Sequence, residues 1–276
     1  MPLTHPLPPP RHILGLHGPW GPLRADLART GTALAYSRCT DWPLGEDAAV
    51  HALLGEEAAR WERTRALPSG RRLAASRALL KHAVSAVTGM PATGLELAAR
   101  PGGAPYLRGC DRIAVSLSHT EDVVLVCLTT VGQAGVDVER TDRLLLRAGM
   151  EREICTPAEL ARLRLAPAGE RNAMLLRLWT LKEAFTKALG QGLRFSLGDF
   201  GFCLQEPHPR LQFPDGRIAD AGAWTFAVFE PVAGCTISAA LLTDGRPRLP
   251  AGPVPLADHE AARWCAAPVH HRAGDG

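Results

Sequence analysis

Two amphipathic stretches, each followed by short apolar segments, constrain the fold of this chain more than any other feature. Residues 71–87 place apolar side chains such as Leu73, Leu80 and Val84 at nearly helical spacing, and Gly89 follows them. This spacing predicts a helix that ends at the glycine. Residues 113–117 and 123–128 come next, with polar residues between them, and predict a β-hairpin.

The same order recurs in the second half of the chain. Residues 174–189 are again amphipathic and are followed by Gly190, which predicts a second long helix. Strands are then predicted at 200–204, 224–229 and 236–242. We therefore predict an α+β fold made of two similar fused halves with pseudo-twofold symmetry, an N-terminal half at 13–130 and a C-terminal half at 131–244.

Both ends of the chain are rich in proline. Residues 1–12 are predicted to be a loose tail, and residues 245–276 a mostly irregular extension with a short helix at 256–264. The extension ends with the adjacent residues His270 and His271, which fit a solvated tail better than a metal site.

Composition excludes several classes of protein for these 276 residues. The chain is 46% hydrophobic with a net charge of +3, which is too small to indicate nucleic-acid binding by charge alone. The longest apolar run, 123–128, is far shorter than the roughly 18 residues that a membrane span needs. The N-terminus lacks the apolar core of a signal peptide, and the seven cysteines form no CxxC pair. These features favour a cytoplasmic protein with free thiols.

A short acidic strand is the first segment with unusual chemistry. Gly135 begins the sequence GVDVER, in which Asp137 and Glu139 share one face of a strand and the two valines share the other. Neighbouring carboxylates repel each other on a strand, and a hard cation such as Mg²⁺ would relieve that repulsion. The alternative is a solvated edge strand whose two acids serve no site.

The second segment is the acidic helix at 179–190, WTLKEAFTKALG. Glu183 and Lys187 lie four residues apart and therefore on one helix face, where such pairs often serve solubility alone. Here Leu181 and Phe185 make much of the helix apolar, so its charges lie near buried surface and need partners. Glu183 beside Asp137 and Glu139 would complete a three-carboxylate Mg²⁺ site, with Lys187 placed to neutralise a phosphate.

Candidate phosphate ligands precede the acidic strand. Ser118 and His119 lie where a predicted strand meets a turn, and hydroxyls beside a histidine suit a phosphate, although a lone histidine is more often structural. Arg77 and Lys81 share a face of the first long helix and form a candidate anion patch. For Arg71 and Arg72 a solvated basic face is the stronger interpretation.

In this order the segments resemble the Sfp-type 4′-phosphopantetheinyl transferases over about residues 40–243. The matching segments are Gly103–Tyr106 as GAPY, residues 116–119 as SLSH, residues 135–139 as GVDVE, residues 179–187 as WxxKEAxxK, and residues 77–81 as RALLK. The GVDVE and WxxKEAxxK motifs, about forty residues apart, make the resemblance specific.

The resemblance implies an enzyme that moves the 4′-phosphopantetheine arm of coenzyme A onto a serine of an acyl or peptidyl carrier protein and releases 3′,5′-ADP. Asp137, Glu139 and Glu183 would hold Mg²⁺, and Glu183 would help to deprotonate the serine. Lys187, Ser118 and His119 would bind coenzyme A phosphates, and Arg77 would bind the 3′-phosphate of the nucleotide. The resemblance also implies that the site lies at the seam between the two halves.

Further expectations follow from the same resemblance. We expect a monomer that serves acidic carrier proteins of fatty acid, polyketide or nonribosomal peptide biosynthesis. Ala104 departs from the family, which usually has Lys or Arg before this proline, so either a phosphate contact is missing or Arg100 or Arg108 replaces it. The alternatives are a Mg²⁺-dependent nuclease or phosphohydrolase with the same three carboxylates, and a non-enzymatic interaction protein, which would be expected to lose acids from this set.

Overall fold

The computed structural model describes residues 6–43, 45, 47–100, 103–110, 112–190, 196–204, 208–219 and 222–243. Within them the α-helices are α1 (Trp20–Thr30), α2 (Asp47–Leu54), α3 (Ala58–Thr64), α4 (Pro68–Thr88), α5 (Glu151–Ile154), α6 (Pro157–Leu165) and α7 (Arg171–Ala188). The strands are β1 (Arg11–His12), β2 (Thr32–Arg38), β3 (Leu97–Ala99), β4 (Pro105–Leu107), β5 (Ala114–Thr120), β6 (Val123–Thr129), β7 (Gly132–Arg140), β8 (Gly201–Cys203), β9 (Arg210–Gln212), β10 (Trp224–Phe229) and β11 (Cys235–Thr243). Among the described helices, none combines the length and apolarity that crossing a bilayer requires.

The first sheet contains four strands in the order β1-β2-β6-β5. The predicted hairpin is confirmed, because β5 and β6 pair antiparallel from Ala114 opposite Thr129 to Thr120 opposite Val123. The long helix α4 packs on this sheet and confirms the prediction at 71–87. The central strand β2 was not predicted, because its small and polar residues interrupt any apolar run.

The second sheet contains three strands in the order β10-β11-β7. The strands predicted at 224–229 and 236–242 are confirmed as β10 and β11, which pair antiparallel from Trp224 opposite Leu242 to Phe229 opposite Ile237. The acidic strand is β7, and it pairs antiparallel with β11 so that Asp137 lies opposite Ser238. The short β8 pairs with β9 and forms a separate ribbon.

The two sheets pack against each other, and a long helix covers the outer face of each. Alternate residues of β2 and β6, such as Leu34 and Leu125, contact Val136 and Val138 of β7 in a core shared by both sheets. The residues between them, such as Val126, contact α4 on the other side of the first sheet. On the second sheet the buried face of α7 packs against β11 and an aromatic cluster. The fold is therefore mixed helix and sheet, in the order helix, sheet, sheet, helix.

Cysteines and termini bear on several predictions. Six of the seven cysteines are described, and all six are buried and free, as expected: Cys39, Cys110, Cys127, Cys155, Cys203 and Cys235. In the N-terminal tail, residues 6–10 lack regular structure, and Arg11–His12 then joins the first sheet. The predicted C-terminal extension at 245–276, including its helix at 256–264, lies outside the described residues.

A buried ion pair anchors α7 to the segments packed against it. Lys182 is fully buried, and its Nζ donates to Glu159 Oε2 at 2.7 Å and to the carbonyl oxygens of Ile154, Leu197 and Phe200. Burial lowers the pKa of Lys182, and the negative charge of Glu159 opposes that effect. Glu159 also accepts from the Phe202 amide, at 2.7 Å. The Lys182 ammonium group therefore links α7 to three other segments of the chain.

Replacing Lys182 tests this anchor. Lys182→Met leaves the Glu159 carboxylate buried and without its cation, and we expect the free energy of unfolding to fall by about 3–5 kcal/mol. Urea denaturation followed by circular dichroism measures the change. Arg177→Met on the same helix is the control, because the pair of Arg177 with Glu230 is exposed and contributes at most about 1 kcal/mol. Equal losses in the two variants would contradict the anchor.

Candidate active site

The acidic residues of β7 face α7, as the strand alternation predicted. Val136 and Val138 are 0% and 1% exposed and point into the core between the sheets, so Asp137 and Glu139 point to the opposite face. Asp137 is only 6% exposed. The alternative of a solvated acidic strand is therefore wrong for Asp137.

Gly135 lets the acidic helix approach the acidic strand. A Cβ atom at this position would lie 1.9 Å from the carbonyl oxygen of Ala184 and 2.5 Å from the amide nitrogen of Ala188. Because both atoms belong to the backbone of α7, neither moves aside easily. The glycine that begins GVDVE thus sets the distance at which Glu183 and Lys187 face the strand.

An ion pair joins that helix to the strand. Lys187 Nζ donates to Asp137 Oδ1 at 2.7 Å and to the carbonyl oxygen of Val136 at 3.1 Å. Ser118 of β5 donates to the same Asp137 Oδ1 at 2.8 Å, and its Oγ lies 3.2 Å from Lys187 Nζ. The Val138 amide also donates to Ser118 Oγ, at 3.4 Å. Residues predicted from three separate motifs therefore meet where the two sheets adjoin.

Glu139 has a different set of partners. Its Oε1 accepts hydrogen bonds from Arg143 Nη1 and, at 3.3 Å, from Trp179 Nε1. Its Oε2 accepts from Thr120 Oγ1 at 3.4 Å. Burial and the nearby Asp137 raise the pKa of Glu139, and the positive charge of Arg143 opposes them.

Glu183 is less fully satisfied by hydrogen bonds than Glu139 is. Burial raises the pKa of Glu183 first, and the negative charges of Asp137 and Glu139 raise it further, against the effect of Lys187. Its Oε1 atom is buried without a hydrogen-bond partner, and the same is true of Asp137 Oδ2. Two unsatisfied carboxylate oxygens from facing elements are a costly arrangement that a cation would relieve.

These residues suit a hard divalent cation by their chemistry. Carboxylate oxygens are the ligands that Mg²⁺ takes, and unpartnered buried oxygens are available on Asp137 and Glu183. In the part of the chain that the structure describes, no three Asp, Glu, His or Cys side chains are already gathered as metal ligands. Lys187 and Arg143 instead neutralise Asp137 and Glu139 as the side chains stand.

His119 lies at the end of β5 and remains accessible to solvent. Partial burial of its ring lowers its pKa, and the positive charges of Arg72 and Lys187 lower it further. Arg72 of α4 also donates to the carbonyl oxygen of Glu121 in the adjacent turn, at 3.4 Å. Three positively charged or potentially charged groups thus surround the end of the strand, which is an arrangement that an anion would stabilise.

The predicted patch of Arg77 and Lys81 is already neutralised or buried. Arg77 makes two hydrogen bonds to Glu57, at 2.5 and 2.7 Å. Lys81 is 3% exposed and donates to the carbonyl oxygen of Leu53. Both side chains therefore already have partners, Glu57 and Leu53, and phosphate binding by Arg77 stays a prediction.

The candidates for the role left open by Ala104 also have partners. Arg108 pairs with Glu96 at 2.9 Å, and the Arg100 guanidinium lies 5.1 Å from the ring centroid of Tyr106.

Arg72 and Arg143 were missed as residues of the site. For Arg72 the signal was only its place on the same helix as Arg77, and for Arg143 it was the spacing of four residues from Glu139 in a segment without regular structure.

Comparison with known proteins finds a resemblance to one family. The sequence model described as the 4′-phosphopantetheinyl transferase superfamily matches residues 133–238, which include both motifs of the site. The chain is 27% identical over 161 residues to the 4′-phosphopantetheinyl transferase psf-1 of Bacillus pumilus, covering 58% of this chain and 68% of that protein. It is 26% identical over 194 residues to HetI, a 4′-phosphopantetheinyl transferase of Nostoc, covering 68% and 78%. These matches show that residues 133–238 of the chain resemble the 4′-phosphopantetheinyl transferase superfamily.

Solved structures also resemble part of this chain. The holo-(acyl-carrier-protein) synthase of Bacillus anthracis in complex with CoA has a TM-score of 0.34 and 18% identity, covering 41% of this chain and 96% of that one. The synthase of Thermotoga maritima has a TM-score of 0.33 and 20% identity, covering 41% and 64%.

The lowered pKa of His119 gives a test of this site without turnover. We expect the pKa of the His119 imidazole to lie below its ordinary value of 6.5 in the free protein. We expect inorganic pyrophosphate to raise this pKa, because it neutralises the surrounding positive charge. Two-dimensional NMR of histidine side chains measures both values, and His119→Gln assigns the signal. A pKa above 6.5 in the free protein would contradict the electrostatic environment described.

The lowered pKa of His119 also makes the stability of the fold depend on pH. Because folding disfavours the protonated ring, the unfolded chain takes up this proton first as the pH falls through 6.5. The contribution of His119 is therefore absent above that pH and becomes destabilising below it. We expect the parent protein to lose more stability than His119→Gln between pH 7 and pH 5 in urea denaturation.

Proposed function

We propose that this protein transfers the 4′-phosphopantetheine group of coenzyme A to a serine hydroxyl of a carrier protein and releases 3′,5′-ADP. The observation that carries the proposal is the meeting of Asp137, Glu183 and Lys187 beside Ser118 in a chain that resembles this superfamily. Unsatisfied carboxylates next to a lysine and a histidine suit a ligand that brings a cation and phosphates together. A nuclease or phosphohydrolase built on the same acids is disfavoured by the family match.

We propose Mg²⁺ as the resident cation, held by Asp137, Glu139 and Glu183. The buried oxygens Asp137 Oδ2 and Glu183 Oε1 support this assignment, because neither has a hydrogen-bond partner. When bound, the ion would supply charge neutralisation for a pyrophosphate. Glu139 would join by exchanging one of its present hydrogen-bond partners for the ion.

The phosphates of coenzyme A would bind beside this set. Lys187 and Ser118 already lie within 3.2 Å of each other and would turn their donors to the pyrophosphate. His119 and the neighbouring Arg72 would bind a further phosphate at the end of β5. Arg77 would act at longer range, since Glu57 neutralises most of its charge. Arg72 is therefore the arginine that we place nearest to the nucleotide.

The transfer itself breaks one phosphorus–oxygen bond and forms another. The serine oxygen of the carrier attacks the phosphorus that bears the pantetheine arm, and the oxygen that links it to 3′,5′-ADP leaves with the electron pair. Glu183 would accept the serine proton, directly or through a water molecule, because its carboxylate lies on the face of α7 turned to the site. Lys187 would stabilise the charge that develops on the attacked phosphate.

The architecture that we propose for this reaction has two similar halves, 13–130 and 131–244, related by a pseudo-twofold axis. Each half has a long helix on the outer face of a sheet, α4 in the first and α7 in the second. The hydrogen bonds between Ser118 and Val138 and between Ser116 and Val136 cross the boundary between the halves. The site therefore lies at the seam, which is defined by β5 and β7.

We propose a monomeric, cytoplasmic enzyme whose partner is an acidic acyl or peptidyl carrier protein. The net charge of +3 supports the choice of an acidic partner, since opposite charges favour encounter. The carrier would belong to fatty acid, polyketide or nonribosomal peptide biosynthesis.

Intact mass spectrometry of a carrier protein tests the transfer. The purified protein is mixed with coenzyme A, Mg²⁺ and an apo carrier from each of the three pathways, and we expect at least one carrier to gain the mass of one phosphopantetheine arm. A known phosphopantetheinyl transferase modifies the same carriers in a parallel reaction. No mass gain on any carrier, while the known enzyme modifies them, would overturn the proposed function.

Two variants test the assigned acids. Asp137→Ala and Glu183→Ala remove groups that would act on the charged transition state, and we expect each to slow transfer by about a hundredfold or more. Glu230→Ala is the control, because Glu230 is exposed and pairs with Arg177 on the surface. Near-normal rates in both site variants, with all proteins folded by circular dichroism, would show that the acids are misassigned.

A further inference from the structure

We infer that Arg143 competes with the divalent cation for Glu139 and thereby sets the affinity of the metal site, an inference that rests on the proposed metal site. Arg143 follows β7 in the segment that leads to α5. Its Nη1 forms an ion pair with Glu139 Oε1, the carboxylate nearest to solvent on the acidic face of β7. A guanidinium therefore neutralises one of the three acids before any metal arrives.

Trp179 and Asn172 of α7 hold Arg143 in this position. The guanidinium lies 5.2 Å from the centroid of the Trp179 ring, within the range of a cation–π contact. Trp179 Nε1 donates to the same Glu139 Oε1 that Arg143 contacts, at 3.3 Å. Asn172 Nδ2 donates to the backbone oxygen of Arg143 at 2.9 Å, which fixes the start of the segment. Contacts from α7 therefore fix the position of Arg143.

The three acids differ in how fully the protein satisfies them. Glu139 accepts hydrogen bonds at both oxygens, whereas Asp137 and Glu183 each keep one buried oxygen without a partner. A cation attracted by Asp137 and Glu183 therefore meets a Glu139 that is already occupied by Arg143. For Glu139 to bind the ion, its hydrogen bonds to Arg143 and Trp179 must break or shift.

The electrostatic effect of Arg143 reaches a second acid. Its positive charge opposes the rise in the pKa of Glu183 as well as that of Glu139. Because the Arg143 side chain is 38% exposed, it can move into solvent when the cation takes over the charge of Glu139, whose side chain is only 15% exposed. Lys187 differs in this respect, since it is tied to Asp137, Ser118 and the backbone of β7.

Direct measurement of Mn²⁺ binding, by electron paramagnetic resonance of the free ion, tests the competition without turnover. Arg143→Gln keeps a polar side chain but removes the charge, and we expect its Kd for Mn²⁺ to fall about two- to fivefold, the range for a partly exposed ion pair. Arg147→Gln is the control for net charge, because Arg147 lies in the same segment and is exposed. We expect its Kd to equal that of the parent protein.

Each outcome has one meaning when Asp137→Asn is measured beside these variants. Weaker binding in Asp137→Asn together with tighter binding in Arg143→Gln supports the competition. Weaker binding in Asp137→Asn with unchanged or weaker binding in Arg143→Gln overturns the competition and leaves the metal site standing. Unchanged binding in Asp137→Asn overturns the metal site and, with it, the role of Arg143. Thermal denaturation of Arg143→Gln confirms that the fold is retained.

Discussion

The ion pair between Lys187 and Asp137 is the interaction around which the candidate site is built. It joins the outer helix α7 to the strand β7, and Ser118 adds the neighbouring sheet to the same carboxylate. The close approach depends on Gly135, whose missing side chain lets the backbone of α7 rest on the strand. The positions of Glu183, Trp179 and Arg143 relative to the acids of β7 follow from that approach.

The same helix carries two lysines with opposite roles. Lys182 points away from the site, is fully buried, and is satisfied by Glu159 and three carbonyl oxygens. Lys187 is 28% exposed on its side chain and faces the acids. The fully satisfied pair of Lys182 and Glu159 rigidifies α7. The acids at the opposite face of α7 can therefore remain incompletely satisfied. The unpartnered oxygens of Asp137 and Glu183 are therefore retained by a scaffold that holds them in place.

Much of this arrangement was predictable from periodicity. The helical spacing of α4 and α7 and the alternation in β7 predicted the elements, and the pattern Val136-Asp137-Val138 predicted which face is buried. The partners of the charges were not predictable, because they depend on side chains from distant segments. Glu57 approaches Arg77 from twenty residues away, and Arg143 reaches Glu139 from a segment without regular structure. The strand β2 was missed because Thr32 and Ser37 are buried polar residues whose hydroxyl groups find partners on distant segments, at Thr129 and Ile13, which no apolar pattern reveals.

The central claim is that Asp137, Glu139 and Glu183 hold one divalent cation beside Lys187. The most direct measurement is a crystal structure of the protein grown with Mn²⁺ and coenzyme A, with anomalous diffraction data collected at the manganese absorption edge. We predict a single strong anomalous peak within coordination distance of Asp137 and Glu183, with the coenzyme A pyrophosphate beside it. A structure with coenzyme A bound at this seam and no anomalous peak among the three acids would contradict the claim.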